Sequence, residues 1–570
     1  MTRALPISIL AAAAFAGGIA AGAHNELEAV DRFAAAWERE DYAAMYDELS
    51  PAAAADVSQQ DFEAAYEQAG VTATLDGVDT APAESGSTPQ GDDAAIVEIT
   101  AQTHAWGEVV GDVAIPVSDG RVAWAPHLVF PGLAEGEQLA RQTRAPPRAS
   151  ILAADGTPLA EGPAAARSSP LGVSASAVTG SMDTARGDVA TDLEAEGFPP
   201  QSLTGSSGLE LAFNDRLDGQ PSGQLFAVER GEEPEQGRQL ATGQPRPGRP
   251  VETTLDPDLQ QAAVLALGDL FGGVAALDAR DGSVLALAGI AFSAPQPPGS
   301  TFKVITTSAA LEEGLVTPNE EFPVETAAVI DGREVANAHD ELCGGTFTQS
   351  FAKSCNSVFA PLGVEVGAER LVAEAEEYGF NAEPELYNEE AVRAVAPPES
   401  TIPPADEIGT DLDVGVSAIG QGEVLATPLQ LASVSQTVAN GGVRSPTPIT
   451  KDRELRPDAK PVEVMDPETA RTLRELMIEV VNSGTGTAAA VDGVQVAGKT
   501  GTAELGPKPL EEGDELGPGE EPEQEVDAWF TGFAPASQPT LAVAAMVVNA
   551  DGDGGVVAAP IVSQVLDAGL

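Results

Sequence analysis

Apolar residues along Glu26–Leu49 recur at helical spacing: Leu27, Val30, Phe33 and Trp37, then, after a break, Tyr42, Met45 and Tyr46. That period predicts two short helices. From Ala95 the period drops to two. Ala95–Ile99, Gly107–Ile115 and Arg121–Val129 alternate like half-buried strands. The polar, Gly/Pro/Ser-rich stretch Asp76–Asp93 predicts a loop between helices and strands. Residues 25–143 therefore predict one small α+β domain. The run Arg144–Arg148, with two prolines, predicts a linker that opens a loop-rich unit of short strands over 144–250. That unit closes on Arg230–Pro250, whose Gly, Pro and charge predict a flexible connection.

From Val251 to Leu570 the pattern becomes more regular. Val274–Leu277 and Val284–Leu287 flank Asp278–Gly282, a hairpin signal. Pro297, Pro298 and Gly299 stop that unit, and a helix begins near Ser300. Val494–Glu504, Trp529–Ala534 and Leu541–Val548 predict strands, and Ala559–Ala568 a closing helix. A chain of 570 residues is too long for one core, so three or more domains are expected.

The first residues read differently. Met1–Arg3 precede an apolar stretch, Ala4–Ala23, that ends in the small-x-small pattern Ala21-Gly22-Ala23. Residues 1–24 predict export, either as a cleaved signal peptide or as a retained membrane anchor. Acidic residues number 89 against 29 basic ones, a formal charge of −60. Phosphate binding needs a basic face, so nucleic acid is excluded as a partner. The acids are spread through every region. Such a surface predicts a protein that works in concentrated salt, where self-repulsion is screened.

Only two cysteines are present, Cys343 and Cys355. In an exported protein they form either a disulfide or two buried thiols. Two cysteines cannot build a thiolate zinc site, and no Cys/His metal spacing occurs. The four histidines, His24, His104, His127 and His339, show no local pattern, and no G-x-S-x-G elbow exists.

Candidate chemistry lies in three strings. Ser300 and Lys303 fall one helical turn apart, on one face. Ser300 alone would be an ordinary helix N-cap. Lys303 changes that, because a neutral lysine amine can take a serine proton while arginine cannot. The chain holds 6 lysines and 23 arginines, and two of the six, Lys303 and Lys499, stand in these strings. Ser354, Cys355 and Asn356 occupy a turn, where the Ser354 hydroxyl would bridge Lys303 and the leaving group and the Asn356 amide would hold substrate backbone. Lys499, Thr500, Gly501 and Thr502 sit on a strand. Lys499 and Thr500 would bind a carboxylate, and Gly501 would let substrate approach. The N–H groups of Ser300 and Thr502 would form an oxyanion hole.

Gly493–Thr500 also satisfies the phosphate-loop pattern. That loop must follow a hydrophobic strand and open a helix. Ser483–Asp492 is a Gly/Thr/Ala stretch and Gly501–Pro507 cannot start a helix, so nucleotide binding is set aside. The acidic stretch Glu511–Asp527 would either attract an amine or serve as a solvated loop.

With these residues in hand, the chain resembles the class B penicillin-binding proteins. The strings Leu255–Gln260, Ser417–Gly422 with Thr427–Gln430, and Trp529–Ala534 look like signatures of their transpeptidase domain. Arg148, Asp155-Gly156, Leu159-Ala160, Gly208–Glu210, Leu217, Gly219 and Gly223 resemble their pedestal, or dimerisation, domain. The first domain resembles the NTF2-like extension of one subgroup. The resemblance implies a multidomain α+β chain: an NTF2-like domain over 25–143, a β-rich pedestal over 144–250 and a penicillin-binding transpeptidase fold over 251–570. It implies a serine acyl-enzyme that cross-links peptidoglycan stem peptides, with a D-Ala-D-Ala donor and an amine acceptor, and that β-lactams acylate. It further implies no cofactor, membrane association at the cell-wall side, and glycosyltransferase, divisome or elongasome partners. Rival readings are a D,D-carboxypeptidase or β-lactamase-type hydrolase, and a non-catalytic penicillin-binding sensor or scaffold.

Overall fold

The computed structural model describes residues 22–388, 392, 396–507 and 524–570. The expected leader, residues 1–24, lies outside these except for its last three. The acidic stretch Glu511–Asp527 lies outside them except for its last four. No described helix is long and apolar enough to cross a membrane.

Helix Gly22–Trp37 turns Val30, Phe33, Ala34 and Trp37 inward. Helices Tyr42–Asp47, Pro51–Asp56 and Gln59–Ala73 follow, each started by a polar side chain that accepts a hydrogen bond from the first turn. Edge-to-face contacts join Trp37 to Tyr66 at 5.1 Å and Phe33 to Phe62 at 6.4 Å. Together the helices cover an antiparallel sheet centred on Asp93–Thr103. Two expectations fail here. The stretch read as a loop contains strands Leu75–Thr80 and Glu84–Ser87, both paired with Asp93–Thr103. Glu84–Ser87 is exposed throughout, so no apolar alternation marks it. The strand expected at Arg121–Val129 stops at Val122, and Pro126 opens a 3-10 turn. Proline has no N–H for a ladder.

The next sheet joins distant segments. Strand Glu137–Arg144 pairs with Ser222–Glu229, which pairs with Arg238–Thr242. Part of the segment read as a flexible connection is therefore an edge strand. Its partner is fixed by tertiary pairing, which local composition does not report. Leu225 from this sheet is buried in the core of the first helices and strands. Behind it, Arg148 is buried against Glu210, Asp218 and Asn214, and Arg167 Nε reaches the other oxygen of Glu210 at 2.7 Å. One buried and one half-buried guanidinium group thus face two buried carboxylates, the balance that makes such burial tolerable.

The C-terminal region is built on a five-stranded antiparallel sheet, ordered β2-β1-β5-β4-β3. The strands are β1 (Gly272–Asp278), β2 (Val284–Gly289), β3 (Ala497–Pro507), β4 (Gln524–Ala534) and β5 (Leu541–Val547). Every residue of β5 is buried, as expected of a strand covered on both faces. Val543 and Ala545 join the core with helices α1 (Pro257–Leu267) and α7 (Ala558–Gly569). Ala542, Ala544 and Met546 join the core with α5 (Pro428–Ala439) and α2 (Lys303–Glu312). Helices α3 (Phe347–Lys353), α4 (Asn356–Val366) and α6 (Pro467–Asn482) complete the frame of the site. The edge strand β3 faces the start of α2 and the α3–α4 turn.

Candidate active site

Ser300 lies in a 3-10 turn, Gly299–Phe302, that runs directly into α2. In that geometry residues i and i+3 eclipse, so Ser300 and Lys303 project the same way. Gly299 makes the turn fit. Its φ is +52°, and a Cβ there would lie 2.7 Å from the Thr502 carbonyl oxygen. The Gly299 N–H donates to Gly420 O at 2.9 Å, which sets the Ser417–Gly422 string beneath the turn.

Lys303 and Lys499 converge on the α3–α4 turn, and both are fully buried. Lys303 Nζ donates to Ser354 O at 2.7 Å, to Ser354 Oγ at 3.1 Å and to Asn356 Oδ1 at 2.7 Å. Lys499 Nζ donates to the same Ser354 Oγ at 2.9 Å and to Thr500 O at 3.0 Å. Aromatic faces supply part of the remaining shell: Phe359 lies 5.3 Å from Lys303 Nζ and Phe351 5.7 Å from Lys499 Nζ. No described carboxylate pairs with either ammonium. Burial therefore drives the Lys303 amine well below the usual lysine range, and the neighbouring Lys499 charge pushes it further. Burial brings Lys499 down to about 7. Ser300 Oγ is not among the hydrogen-bond partners of Lys303 here. The amine is engaged by Ser354 and Asn356 instead.

Ser354 ends α3 in the left-handed region, with φ +66° and ψ +41°. This is an uncommon conformation for a side-chain-bearing residue. It brings Ser354 O and Oγ to the same amine. Asn356 opens α4, and its Nδ2 donates to Ala336 O at 2.8 Å while Oδ1 accepts from Lys303. A disulfide joins Cys343 to Cys355, with Cα atoms 5.4 Å apart, and fastens this turn to the neighbouring strand.

Lys499, Thr500, Gly501 and Thr502 lie within β3, and the strand continues to Pro507. No helix follows Thr500, so the phosphate-loop geometry is absent. Gly501 also carries a packing constraint within the protein. A Cβ there would fall 2.6 Å from Pro298 O and 2.9 Å from Thr301 Cγ2, so it is the serine turn that needs the space. Thr502 O lies against Gly299. On an antiparallel strand a residue's N–H and C=O face the same side, so the Thr502 N–H also opens toward the Ser300 turn. Thr502 Oγ1 accepts from Gly554 N at 3.2 Å, which holds the α7 approach loop on β3.

Asn337 was not singled out by any local pattern. It is buried, its Oδ1 accepts from Ser357 N at 2.8 Å, and its Nδ2 donates to Glu325 O and Glu341 O. It thereby locks the first turn of α4, where Asn356 sits. Its partners are 4 to 20 residues away along the chain, which leaves no motif to read.

A hydroxyl flanked by two lysine amines, beside a half-buried serine and an open strand edge, defines an active-serine acyltransferase site. Known proteins agree with that reading. Residues 272–567 match the penicillin-binding protein transpeptidase domain, 162–253 the penicillin-binding protein dimerisation domain and 25–137 the NTF2-like N-terminal transpeptidase domain. The chain is 32% identical to peptidoglycan D,D-transpeptidase PbpA of Mycolicibacterium smegmatis, over 62% of this chain and 78% of that one. Among solved structures, it is similar to the D,D-transpeptidase domain of a peptidoglycan glycosyltransferase from Eggerthella lenta, with TM-score 0.57, 27% identity, and 74% and 98% of the two chains covered. It is also similar to penicillin-binding protein A from M. tuberculosis as its penicillin G acyl-enzyme, with TM-score 0.55, 28% identity, and 74% and 99% covered. The chain belongs to the class B penicillin-binding proteins with an NTF2-like N-terminal domain.

Proposed function

We propose that Ser300 is the nucleophile of a peptidoglycan D,D-transpeptidase and that Lys303 is its base. The observation that carries this reading is a pair of buried lysines, free of described carboxylates, sharing the hydroxyl of Ser354. A neutral Lys303 takes the Ser300 proton as Oγ bonds to the carbonyl carbon of the penultimate D-Ala. The N–H groups of Ser300 and Thr502 stabilise the oxyanion, a contribution of about 3–4 kcal/mol per donor in such sites. Ser354 passes a proton to the leaving nitrogen, the C–N bond breaks, and terminal D-Ala departs as a free amine. Lys499 and Thr500 hold its carboxylate, Gly501 keeps the strand close to the nucleophile turn, and Asn356 orients the donor backbone. An amine of a neighbouring stem peptide then attacks the ester. Its lost proton returns to the lysine–serine pair, and Ser300 Oγ leaves as the restored hydroxyl. In a β-lactam the broken amide lies within a ring, so the leaving nitrogen stays tethered and the ester persists.

Family membership puts the protein outside the cytoplasm, at the cell wall. The finer assignment is the outer face of the cytoplasmic membrane, with residues 1–24 as signal peptide or anchor. Residues 25–143, 144–250 and 251–570 serve as NTF2-like, pedestal and catalytic units. Glycosyltransferase partners of the divisome or elongasome supply the glycan strands. Ser300→Ala tests the core of the reading. It should abolish covalent labelling by a fluorescent penicillin and fail to complement loss of the enzyme in cells. Label retained on another residue would refute the nucleophile, and full complementation would make the protein a scaffold.

A further inference from the structure

The loop that follows α6 carries a hydroxyl that the reaction scheme above does not use. Thr485 Oγ1 lies 2.5 Å from Thr500 Oγ1, and Thr485 N donates to Ala352 O at 3.1 Å. Ala352 belongs to the last turn of α3, two residues before Ser354. One residue therefore touches both walls of the site: the helix end that presents Ser354 and the strand that presents Lys499 and Thr500. Its surroundings leave it little freedom. A Cβ on Gly484 would fall 2.2 Å from Ala352 O, one on Gly555 2.2 Å from Thr485 O, and one on Gly486 2.9 Å from the Phe530 ring. Three glycines thus let four segments close around Thr485, whose side chain is still exposed at the rim of the cleft.

We infer that Thr485 is a positioning residue that orients the Thr500 hydroxyl toward the carboxylate of the donor peptide or β-lactam. A threonine hydroxyl has one hydrogen to donate. The nearest alternative acceptor for Thr485, Ala352 O, is 3.5 Å away, so Thr500 Oγ1 at 2.5 Å is the better target. When Thr485 donates there, the hydrogen of Thr500 is left free for another acceptor, and an anion in the cleft can take it. A donor chain of this kind also polarises its last member. The inference rests on Thr500 being a carboxylate contact, as proposed above.

The test compares acylation by benzylpenicillin with acylation by its methyl ester, which lacks the charge. In Thr485→Val the acid-to-ester rate ratio should fall about five- to tenfold, the worth of one hydrogen bond, and Thr485→Ser should restore it. Thr485→Ala gives the same reading if the valine variant does not fold. An unchanged ratio in Thr485→Val, or equal slowing of acid and ester, overturns the inference. Thr500→Val separates the two levels. If its ratio falls and that of Thr485→Val does not, the orienting role fails alone; if neither falls, the carboxylate contact itself is wrong.

Discussion

Lys303 and Lys499 compete for one hydroxyl, and burial governs how many protons the pair holds. Lys303→Arg keeps most of the volume but fixes a permanent charge and cannot release a proton. It should lower penicillin acylation about as severely as loss of the nucleophile, measured as the second-order rate of label incorporation; near wild-type acylation would remove Lys303 as base. The pH dependence follows from the same two amines. Acylation should rise as pH increases and the pair loses its first proton. For free-acid ligands it should fall again above about 7, as Lys499 gives up its charge. Ester ligands should show only the rise, and stopped-flow profiles of both ligand types would separate the two limbs. Stability has the opposite concern. A lysine whose folded pKa is depressed binds fewer protons folded than unfolded between about 7 and its ordinary value near 10.5. Folding is therefore penalised at neutral pH, and the penalty vanishes as pH climbs through that window. Lys499→Met should raise the melting temperature at pH 7, with a smaller gain at pH 10. The identity of these residues was legible from the three strings. Their engagement was not: nothing local says that Lys303 rests on Ser354 and Asn356 rather than on Ser300, because that depends on a left-handed serine 51 residues away.

At the scale of elements, the site is a contact between a turn and a strand edge, and glycine is what lets them meet. Gly501→Ala would place a methyl group 2.6 Å from Pro298 O and push β3 away from the serine turn. Misplacement of this order should reduce acylation about 100-fold, while far-UV circular dichroism keeps its native form. Equal acylation in the variant would show that the close approach is dispensable. The Cys343–Cys355 bridge acts on the other wall. Replacing both cysteines by alanine should cost about 3 kcal/mol in denaturant unfolding, the usual value for a short closed loop. The hairpin β1–β2 and the closing helix α7 could be read from periodicity because their own residues carry the pattern. Strands Glu84–Ser87 and Arg238–Thr242 could not, since partner strands rather than side-chain alternation hold them in place.

Over the whole molecule, the largest electrostatic feature is a formal charge of −60 on 570 residues. Ion pairs among the described residues engage only part of the acid excess, so self-repulsion opposes the compact state at low ionic strength. At molar salt the screening length falls to about 3 Å, and the thermal midpoint should rise steeply between 0.1 M and 2 M potassium chloride. A flat midpoint would show that the acidic surface carries no such burden. Packing between units also belongs at this scale. Strand Glu137–Arg144 is bonded to a strand some 80 residues later, and Arg141 reaches both Val71 O and Glu194 O. The first helices and strands are thus tied to the segment that carries the catalytic region.

The amino-acid order by itself determined the chemistry on offer: a serine and lysine one turn apart, a second lysine on a strand, and two cysteines within reach of each other. Those are short-range facts, and residue type with local period is enough to state them. Only the tertiary structure decided that both amines lose their solvent, that one hydroxyl serves them together, and that the bare Cα of Gly501 makes room for the serine turn. Burial and contact between distant segments are properties of the folded whole, and no window of sequence contains them.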